Sequence, residues 1–471
     1  MNRSAPARSL ASHLGWLWAS ALAGLALPLA AVSAQVDTER QALDSTSLLT
    51  TYTEALTHNA AYRAQLSATR AVAELERAAV GRLLPQVGLG ASYDYGYQEV
   101  KGDYYSVANV RADDDYGKGL AGVKLSQPLY QPDLWISRDQ AGLKLSQARF
   151  ALEKAEDELL IDVVGAYLAV LSAQDARRLA QAESAAVERQ LKQIRARGEA
   201  GLALEADVLA ASAQHSTALA NLVQAEGQVD IAGSTLDLTV GRPVRNLRAL
   251  PEGMVLSRPE PADSQSWVVR ARSQNLDVVQ ARIAAQIAEL DAEKARYARM
   301  PKIQAVGSAT YLDLDGGISG ERSEKEARIG VDFVLPLYSG GTIQAAIAAA
   351  EAGVEGAQAL IEAAEGKAER DARQAFTSLL NSLNKVPARW DAVLAARASE
   401  EATMSGFDAG TRTNADVLRS LEERFDAERT YSDARYLYIL DSLRLKLAAG
   451  NLVAADLAPF DRLLRTASES P

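Results

Sequence analysis

Residues 86–98 of the chain read QVGLGASYDYGYQ, and the side chains alternate strictly between two kinds. The odd positions, from Val87 to Tyr97, are apolar or aromatic, whereas the even positions, from Gln86 to Gln98, are polar or glycine. A period of two is typical of a β-strand that has one apolar face. The sequence therefore predicts a strand over residues 86–98.

Three further stretches show the same alternation, and they predict strands over residues 119–130, 302–314 and 327–338. The pattern of 302–314 is weaker because Val306 interrupts it. Strands of about 10 to 13 residues with one apolar face are typical of a membrane barrel, where that face meets lipid. The charged segments 99–118 and 315–326 are predicted as hairpin loops. The alternative is a pair of surface hairpins on a soluble body.

Four strands cannot close a barrel on their own, since about eight are needed. Open sheet edges are not tolerated in lipid, because each unpaired backbone group there costs several kcal/mol. If these strands lie in a membrane, several chains must therefore share one barrel.

Very long helical patterns accompany the strands. A strict seven-residue spacing runs along the longest one and indicates a coiled-coil seam with small residues at its centre; its members are Leu145, Leu152, Leu159, Ala166, Ala173, Ala180, Val187 and Ile194. At 1.5 Å per residue, a helix of about 65 residues is roughly 95 Å long. Helices are predicted at about residues 45–84, 133–197, 203–240, 264–300, 342–405 and 414–449.

The chain also resembles itself. Three matches occur in the same order, which indicates a duplicated half: Leu84-Pro85-Gln86-Val87 with Met300-Pro301-Lys302-Ile303, Gln127-Pro128-Leu129-Tyr130 with Leu335-Pro336-Leu337-Tyr338, and the segment from Gly201 to Asp207 with that from Gly410 to Asp416. We therefore expect a first repeat over 35–241, a proline-rich linker over 242–262, a second repeat over 263–450 and a C-terminal tail over 451–471.

The first 34 residues predict a secretory signal peptide, because Arg3 and Arg8 precede an uncharged run that ends in small residues. Cleavage is expected before Gln35, and the alternative is an uncleaved membrane anchor. The absence of cysteine excludes a lipoprotein anchor. Beyond residue 35, no window predicts a transmembrane helix, because Pro336 and Gly340 interrupt the longest uncharged run.

Composition excludes several classes of protein. The 471 residues include 50 Lys and Arg against 61 Asp and Glu, giving a net charge of −11, which does not favour nucleic-acid binding. No cysteine and only three histidines are present, so disulfides and Cys- or His-based metal sites are not expected. Nucleotide-binding, serine-hydrolase and zinc-protease motifs are missing as well, and we expect neither an enzyme nor a cofactor.

The whole pattern resembles the TolC-type outer-membrane factor family. The resemblance covers nearly all of the mature chain and is carried by the strand ends above, by the opening segment from Leu48 to Asn59, and by Gly410-Thr-Arg-Thr-x-x-Asp416-Val-Leu. It implies a mainly α fold with a β-barrel portion. Long antiparallel coiled-coil helices would form an α-barrel tunnel, and four strands per chain would contribute to a shared twelve-stranded transmembrane barrel in a homotrimer.

The resemblance further implies a location in the bacterial outer membrane, with the tunnel extending into the periplasm. There the family works as a passive export duct in tripartite efflux or type I secretion, together with a periplasmic adaptor (membrane fusion) protein and an inner-membrane pump of the RND or ABC type. The alternative function is a soluble periplasmic coiled-coil adaptor or scaffold, which leaves the four strands unexplained.

The resemblance also implies a gate at the periplasmic end. Asp416 takes the position of an acidic ring and Arg412 that of a gate-tethering arginine, while Asp207 is the first-half equivalent of Asp416 and a partner for Arg412. Phe407 replaces a familiar tyrosine, and Arg419 stands where a second acidic ring is expected and is available to pair with Asp416. The alternative for Asp416 is structural, because Thr413-x-x-Asp416 is also a capping-box pattern.

Two glycine turns lie between the paired helices, and the resemblance places them at the tip where the adaptor docks. The residues concerned are Gly198, Gly201, Leu202, Gly410 and Thr411. The alternative is that they are plain chain reversals, for which glycine is suited because it adopts positive φ readily.

Overall fold

The computed structural model describes residues 46–104, 107–251, 254, 256–317 and 320–464. The predicted signal peptide, its cleavage site and the last seven residues of the tail lie outside these ranges. The described part begins with two helices, α1 (Leu48–His58) and α2 (Ala60–Gly81), which lead into strands β1 (Gln86–Tyr104) and β2 (Val107–Tyr130). Two longer helices follow, α3 (Pro132–Glu199) and α4 (Glu205–Val240).

The same order of elements then occurs a second time. Helices α5 (Ser264–Gln274) and α6 (Leu276–Tyr297) precede strands β3 (Lys302–Gly316) and β4 (Arg322–Val334), and helices α7 (Thr342–Asp408) and α8 (Asn414–Ala449) follow. A 3₁₀ turn (Ala454–Leu457) and the short helix α9 (Ala458–Leu463) end the described chain. Helices α3 and α7 have 68 and 67 residues, so each is about 100 Å long.

The four strands form one antiparallel sheet in the order β1-β2-β3-β4. Alternation of the side chains gives the sheet one apolar face, which includes Leu89, Tyr93, Ile329 and Phe333, and all four of these side chains are largely exposed. Because β1 and β4 each have a single neighbour, the described sheet has two unpaired edges. A sheet with open edges and an exposed apolar face is incomplete as a folded unit.

The first hairpin is longer than its sequence predicts. The segment 99–118 was expected to be a loop, but β1 continues to Tyr104 and β2 begins at Val107, with Gln98 opposite Asp114. The prediction failed because alternation is lost in this charged segment, whereas the backbone ladder requires only paired N–H and C=O groups. In the second hairpin β4 begins at Arg322, inside the predicted loop 315–326, for the same reason.

The predicted bounds also differ at the far end of β4, which stops at Val334 and not at Tyr338. Its counterpart β2 continues to Tyr130, where it pairs with Ile303 of β3. The two strands differ in length at this end because β2 lies between two strands, whereas β4 lies at an edge of the described sheet and has one neighbour.

Both helices predicted to lead into the strands, 45–84 and 264–300, are divided by an asparagine. The Asn59 side chain accepts a hydrogen bond from the Tyr62 N–H (2.8 Å) and donates one to the Thr239 carbonyl (2.8 Å). Asn275 does the same with the Asp277 N–H (3.0 Å) and the Ala448 carbonyl (3.1 Å). Each asparagine thus begins a new helix and ties it to the end of a second helix.

The main core lies where α3 and α8 pass the connection between the two halves. Leu160, Val163 and Tyr167 of α3 are completely or almost completely buried there. The Tyr167 hydroxyl accepts a hydrogen bond from the Arg248 N–H (2.9 Å) and lies 3.1 Å from the Thr46 carbonyl oxygen. It therefore links α3 to the segment before α1 and to the connection between the two halves. The eight residues of α3 that are spaced seven apart, from Leu145 to Ile194, are all buried or half-buried, as the coiled-coil prediction requires.

One described helix, α3, is long and apolar enough to span a membrane by length and composition alone. The sequence alone predicts no such window after residue 35, because charged residues of α3 hide it, and this prediction is wrong by the same criterion. Nearly half of this window, 44%, is buried inside the protein. The apolar residues of α3 from Leu159 to Leu171 belong to the main core, and a core helix of a soluble protein meets the same test of length and composition.

Candidate gate at the helix tips

Two helical hairpins, α3–α4 and α7–α8, end in turns of the same construction. In the first turn the Leu202 N–H bonds to the Arg197 carbonyl (2.7 Å) and the Gly201 N–H to the Gly198 carbonyl (2.9 Å). In the second, Thr411 and Gly410 bond in the same way to the carbonyls of Gly406 (2.8 Å) and Phe407 (3.1 Å). This pattern is the Schellman motif, which requires a residue with positive φ.

Glycine supplies that conformation in both turns, with φ of 74° at Gly201 and 76° at Gly410. Gly198 has a different role, because a Cβ there would lie 3.3 Å from the Val208 side chain of the opposite helix. Of the residues predicted for the docking tip, Gly201, Leu202, Gly410 and Thr411 lie in the two turns and Gly198 lies in the last turn of α3, and Leu202 and Thr411 are exposed.

The second hairpin begins its return helix with a complete capping box. The Asp416 carboxylate accepts hydrogen bonds from the Thr413 N–H (2.9 Å) and hydroxyl (2.8 Å), and the Asp416 N–H lies 3.2 Å from the Thr413 hydroxyl oxygen. These bonds, with smaller contributions from Arg412 and Arg419, hold the pKa of Asp416 below its usual range. Asp416 is therefore a fixed negative charge at the surface of the tip.

The first hairpin lacks this device. Leu204 stands at the cap position of α4 and makes no side-chain cap, so the Asp207 carboxylate has no hydroxyl partner there. Leu202 and Leu204 are instead 77% and 72% exposed. The two tips thus share a backbone fold but differ at the cap position: the second tip holds its aspartate in a capping box, whereas the first exposes two leucines beside Glu205 and Asp207.

Four polar contacts join the tips of the two hairpins. The buried Gln190 of α3 donates to the Asn414 side-chain carbonyl (2.8 Å), and Asn414 in turn lies 3.3 Å from the Asp207 backbone carbonyl. The Asp408 carboxylate accepts hydrogen bonds from the side chains of Gln193 (3.3 Å) and Arg197 (3.2 Å) of α3. The end of α7 and the start of α8 are therefore both hydrogen-bonded to the first hairpin.

Phe407 lies inside this contact. Its ring is buried in an apolar cluster with Val187, Ile194 and Val417, and the Arg197 guanidinium lies 4.3 Å from the ring centroid. The resemblance implies a missing hydroxyl at this position, and in the structure the ring forms a packing and cation–π surface for Arg197.

Arg412 and Arg419 are both exposed near Asp416. Among the described residues of this single chain, no salt bridge joins Arg412 to Asp207 or Arg419 to Asp416. The pairing of Arg412 with Asp207 therefore stays a prediction, and it requires either a different conformation or a neighbouring chain.

Sequence reasoning missed the residues that join the hairpins, namely Gln190, Gln193, Arg197, Asp408 and Asn414. Each lies within one or two helical turns of a glycine turn, which is the only local signal. Their partners are more than 200 residues away in sequence, so only the folded arrangement identifies the pairs.

A groove of about 310 Å³ lies above the tip, between α3, α4 and α8. Its polar lining includes Glu183, Glu422 and Asp426, and Arg429, which also lines the groove, forms a 2.7 Å salt bridge with Asp426. Burial, followed by the nearby Glu422, raises the pKa of Glu183 above its ordinary value. The groove therefore has an acidic character.

An exposed apolar sheet with open edges, joined to helices of about 100 Å that meet in a polar tip, defines a membrane-anchored helical channel protein. The chain belongs to the outer membrane efflux protein family, whose sequence profile matches residues 52–242 and 267–451. It is an outer-membrane channel of the kind that serves efflux and secretion.

The relatives agree with this assignment. The outer membrane protein TolC of Vibrio cholerae serotype O1 is 31% identical over 442 residues, covering 93% of this chain and 98% of that protein. The alkaline protease secretion protein AprF of Pseudomonas aeruginosa is 28% identical, covering 87% and 85%. The outer-membrane channel CmeC of Campylobacter jejuni has the same fold, with a TM-score of 0.72 at 14% identity over 91% and 92% of the two chains.

Proposed function

We propose that the chain assembles as a homotrimer into the outer-membrane duct of a tripartite efflux or type I secretion system. The observation that carries this proposal is the four-stranded sheet with two unpaired edges and an exposed apolar face, on which Ile329 is 90% exposed. In lipid each unpaired backbone group at such an edge costs several kcal/mol. Three chains supply twelve strands, which are enough to close one barrel.

Within such an assembly the long helices form a passive conduit. They continue the channel from the outer membrane into the periplasm, where a periplasmic adaptor joins the duct to an inner-membrane pump of the RND or ABC type, and the pump supplies the energy. No enzymatic step is part of this proposal, since the family consists of transport ducts.

We also propose that residues 35–241 and 263–450 are two copies of one half, joined by the linker 242–262 in an equatorial region and followed by the tail 451–471. The repeated order of elements supports this proposal. So do the paired asparagine caps, Asn59 and Asn275, and the paired glycines at the helix ends, Gly241 and Gly450, which have φ of 85° and 72°.

Membrane fractionation tests the assembly. We expect the full chain in outer-membrane fractions as a trimer that withstands detergent and separates into monomers only on heating. A monomer in the soluble periplasmic fraction would contradict the proposal and favour the alternative, a soluble coiled-coil adaptor or scaffold.

At the periplasmic end we propose a gate that contains Asp416, Arg412, Asp207, Phe407 and Arg419. In a trimer the three Asp416 carboxylates form a ring of fixed negative charge. The lowered pKa of Asp416 supports this role, because the ring then stays charged at neutral and moderately acidic pH. Arg419, one turn further along α8, reduces that charge locally, and Arg412 is available to bind a carboxylate of a neighbouring chain.

Conductance in planar bilayers tests the gate and separates it from helix capping. We expect Asp416→Asn to weaken block by multivalent cations and to reduce cation selectivity. Thr413→Ala is the matched control, because it removes the hydroxyl of the capping box and keeps the carboxylate. If Thr413→Ala abolishes block as fully as Asp416→Asn does, the effect belongs to the helix start and not to the charged ring.

We propose that the periplasmic adaptor docks at the tip formed by Gly198, Gly201, Leu202, Gly410 and Thr411. The exposed Leu202 supports this role, since an apolar side chain at a helix turn is suited to contact with another protein. Leu202→Asp is expected to reduce adaptor cross-linking at least tenfold while the trimer persists. Leu238→Asp is the control, because Leu238 is equally exposed but lies at the other end of α4. Equal loss in both variants would contradict a tip-specific contact.

A further inference from the structure

The repeat of the two halves allows the open edge of β4 to be aligned with the open edge of β1 in a second copy of the chain. This alignment rests on the proposed shared barrel and on the repeat of the two halves. Sequence matching places Pro85 on Pro301 and Pro128 on Pro336, which also places Gln86 on Lys302 and Ser126 on Val334.

The pairing inside the two hairpins agrees with this alignment residue for residue. Gln86 lies opposite Ser126 in the first hairpin, and their equivalents Lys302 and Val334 lie opposite each other in the second. The repeat therefore extends to strand register and is not limited to the order of the elements.

The contact between the two halves inside one chain is the pairing of β2 with β3. There Ala121 lies opposite Tyr311, and Leu125 lies opposite Gly307. In a closed ring of six equivalent halves, the contact of β4 with β1 of the next chain repeats this pairing. The equivalents are Ile329 opposite Tyr95 and Phe333 opposite Ala91.

We propose that β4 of one chain pairs antiparallel with β1 of a second copy in this register, with Ile329 opposite Tyr95, Phe333 opposite Ala91, Val331 opposite Tyr93 and Lys325 opposite Glu99.

The proposed register satisfies the side-chain pattern. Ile329, Val331 and Phe333 lie on the same apolar face as their partners, so the apolar band continues across the junction without a change of face. A slip of one residue would place polar side chains against apolar ones. A tyrosine beside a β-branched residue is a favourable cross-strand pair, and Lys325 opposite Glu99 brings opposite charges together at the rim of the sheet.

The early end of β4 agrees with the same register. Leu335–Tyr338 is equivalent to Gln127–Tyr130, which is a strand because β3 pairs with it. In the single chain Leu335–Tyr338 has no such neighbour, and Tyr338 is 90% exposed. The proposed register places Leu335 opposite Leu89 and Tyr338 opposite Val87, and both of these β1 side chains are exposed in the single chain. The second copy would thus extend β4 to Tyr338, the position equivalent to the end of β2 at Tyr130.

Disulfide mapping tests the register directly, because the chain contains no cysteine. Two double variants are in register: Ile329→Cys with Tyr95→Cys, and Phe333→Cys with Ala91→Cys. Two mismatched variants use the same four positions: Ile329→Cys with Ala91→Cys, and Phe333→Cys with Tyr95→Cys. The mismatch of four residues separates the Cα atoms by about 13 Å along the strand, beyond the reach of a disulfide.

We expect both in-register variants to form covalent trimers on non-reducing denaturing gels, at least tenfold faster than the mismatched ones. Ala121→Cys with Tyr311→Cys is the matched control inside one chain, and it should form a disulfide while the chain still migrates as a monomer. Equal cross-linking of all four interchain variants, or cross-linking only of the mismatched pairs, would overturn the register.

The same gels separate the two proposals. A heat-sensitive, non-covalent trimer that forms without cross-linking of the in-register pairs would refute the register and leave the proposed function standing. A chain that forms no trimer at all would refute both.

Discussion

Arg197 is the residue through which one substitution tests the contact between the two hairpins most directly. Its guanidinium lies 4.3 Å from the ring centroid of Phe407 and forms a 3.2 Å salt bridge with Asp408. Both partners belong to the last turn of α7, whereas Arg197 belongs to the last turns of α3. Arg197→Ala therefore removes two interactions that hold the second hairpin against the first.

The size of the effect follows from the surroundings of each partner. The Asp408 side chain is 66% exposed, so the salt bridge contributes at most about 1 kcal/mol. The Phe407 ring is buried, and a cation above such a ring contributes about 1 to 2 kcal/mol. Together they give about 2 kcal/mol, which corresponds to roughly a 30-fold shift in the equilibrium between joined and separated tips.

Two measurements report on that equilibrium. In planar bilayers, Arg197→Ala is expected to increase the fraction of time that the channel spends in its higher-conductance state. In hydrogen exchange, the amides of both turns should exchange roughly 30-fold faster, because local opening becomes that much more frequent. Asp408→Asn, which keeps the cation–π contact, should give only the smaller part of the effect, about fivefold or less.

Arg195→Ala is the matched control, because it removes the same charge from an exposed position two residues away on the same helix. Equal effects of the two arginine substitutions would show that net charge, and not the contact with α7, is responsible. If Arg197→Ala changes neither conductance nor exchange, the contact does not hold the tips together and the reasoning is wrong.

Three further substitutions test other parts of the structure. Burial, and then three neighbouring glutamates, raise the pKa of Asp157 to about 7. The folded state therefore binds more protons than the unfolded state between about pH 4 and 7. The free energy of unfolding should consequently fall as pH rises through this window. Because Asp157 is only partly buried, Asp157→Asn should raise that free energy by about 1 to 2 kcal/mol at pH 8 and by much less at pH 4 in chemical denaturation. Thr413→Ala should cost about 1 kcal/mol at the start of α8, seen as faster hydrogen exchange at residues 414–417, and unchanged exchange would argue against the capping box. Leu160→Ala, at a site only 1% exposed, should lower the free energy of unfolding by about 3 kcal/mol, and a loss below 1 kcal/mol would contradict its place in the main core.

The sequence predicts the long helices well, because their ends carry local signals. The helix predicted over 414–449 matches α8, which begins after the Thr413 cap and ends before Gly450 at φ of 72°. The helices at the start of each half are predicted less well, because apolar residues continue across Asn59 and Asn275 and hide the helix breaks at these two residues. Each break depends on a hydrogen bond to a carbonyl more than 170 residues away, which no local pattern contains.

The strands show a different limit. Alternation identifies only the part of a strand that has two different faces, so the charged extension of β1 beyond Gln98 was missed. It overestimates β4 for the opposite reason, since Leu335–Tyr338 has the pattern of a strand but no described neighbour. Strand length in an edge strand depends on the partner as well as on the sequence.

In the candidate gate, two turns with the same backbone fold differ in single side chains. Both tips have the same Schellman turn, with glycine at the position of positive φ, and both place an aspartate at the same distance from that glycine. At the cap position, however, the first tip has Leu204 and the second has Thr413, so the first exposes apolar surface and the second fixes a carboxylate. Because the turns are alike, the chain reversal alone does not require this difference. The difference supports the two proposed roles, with exposed Leu202 and Leu204 available for contact with another protein and Asp416 held as a fixed charge.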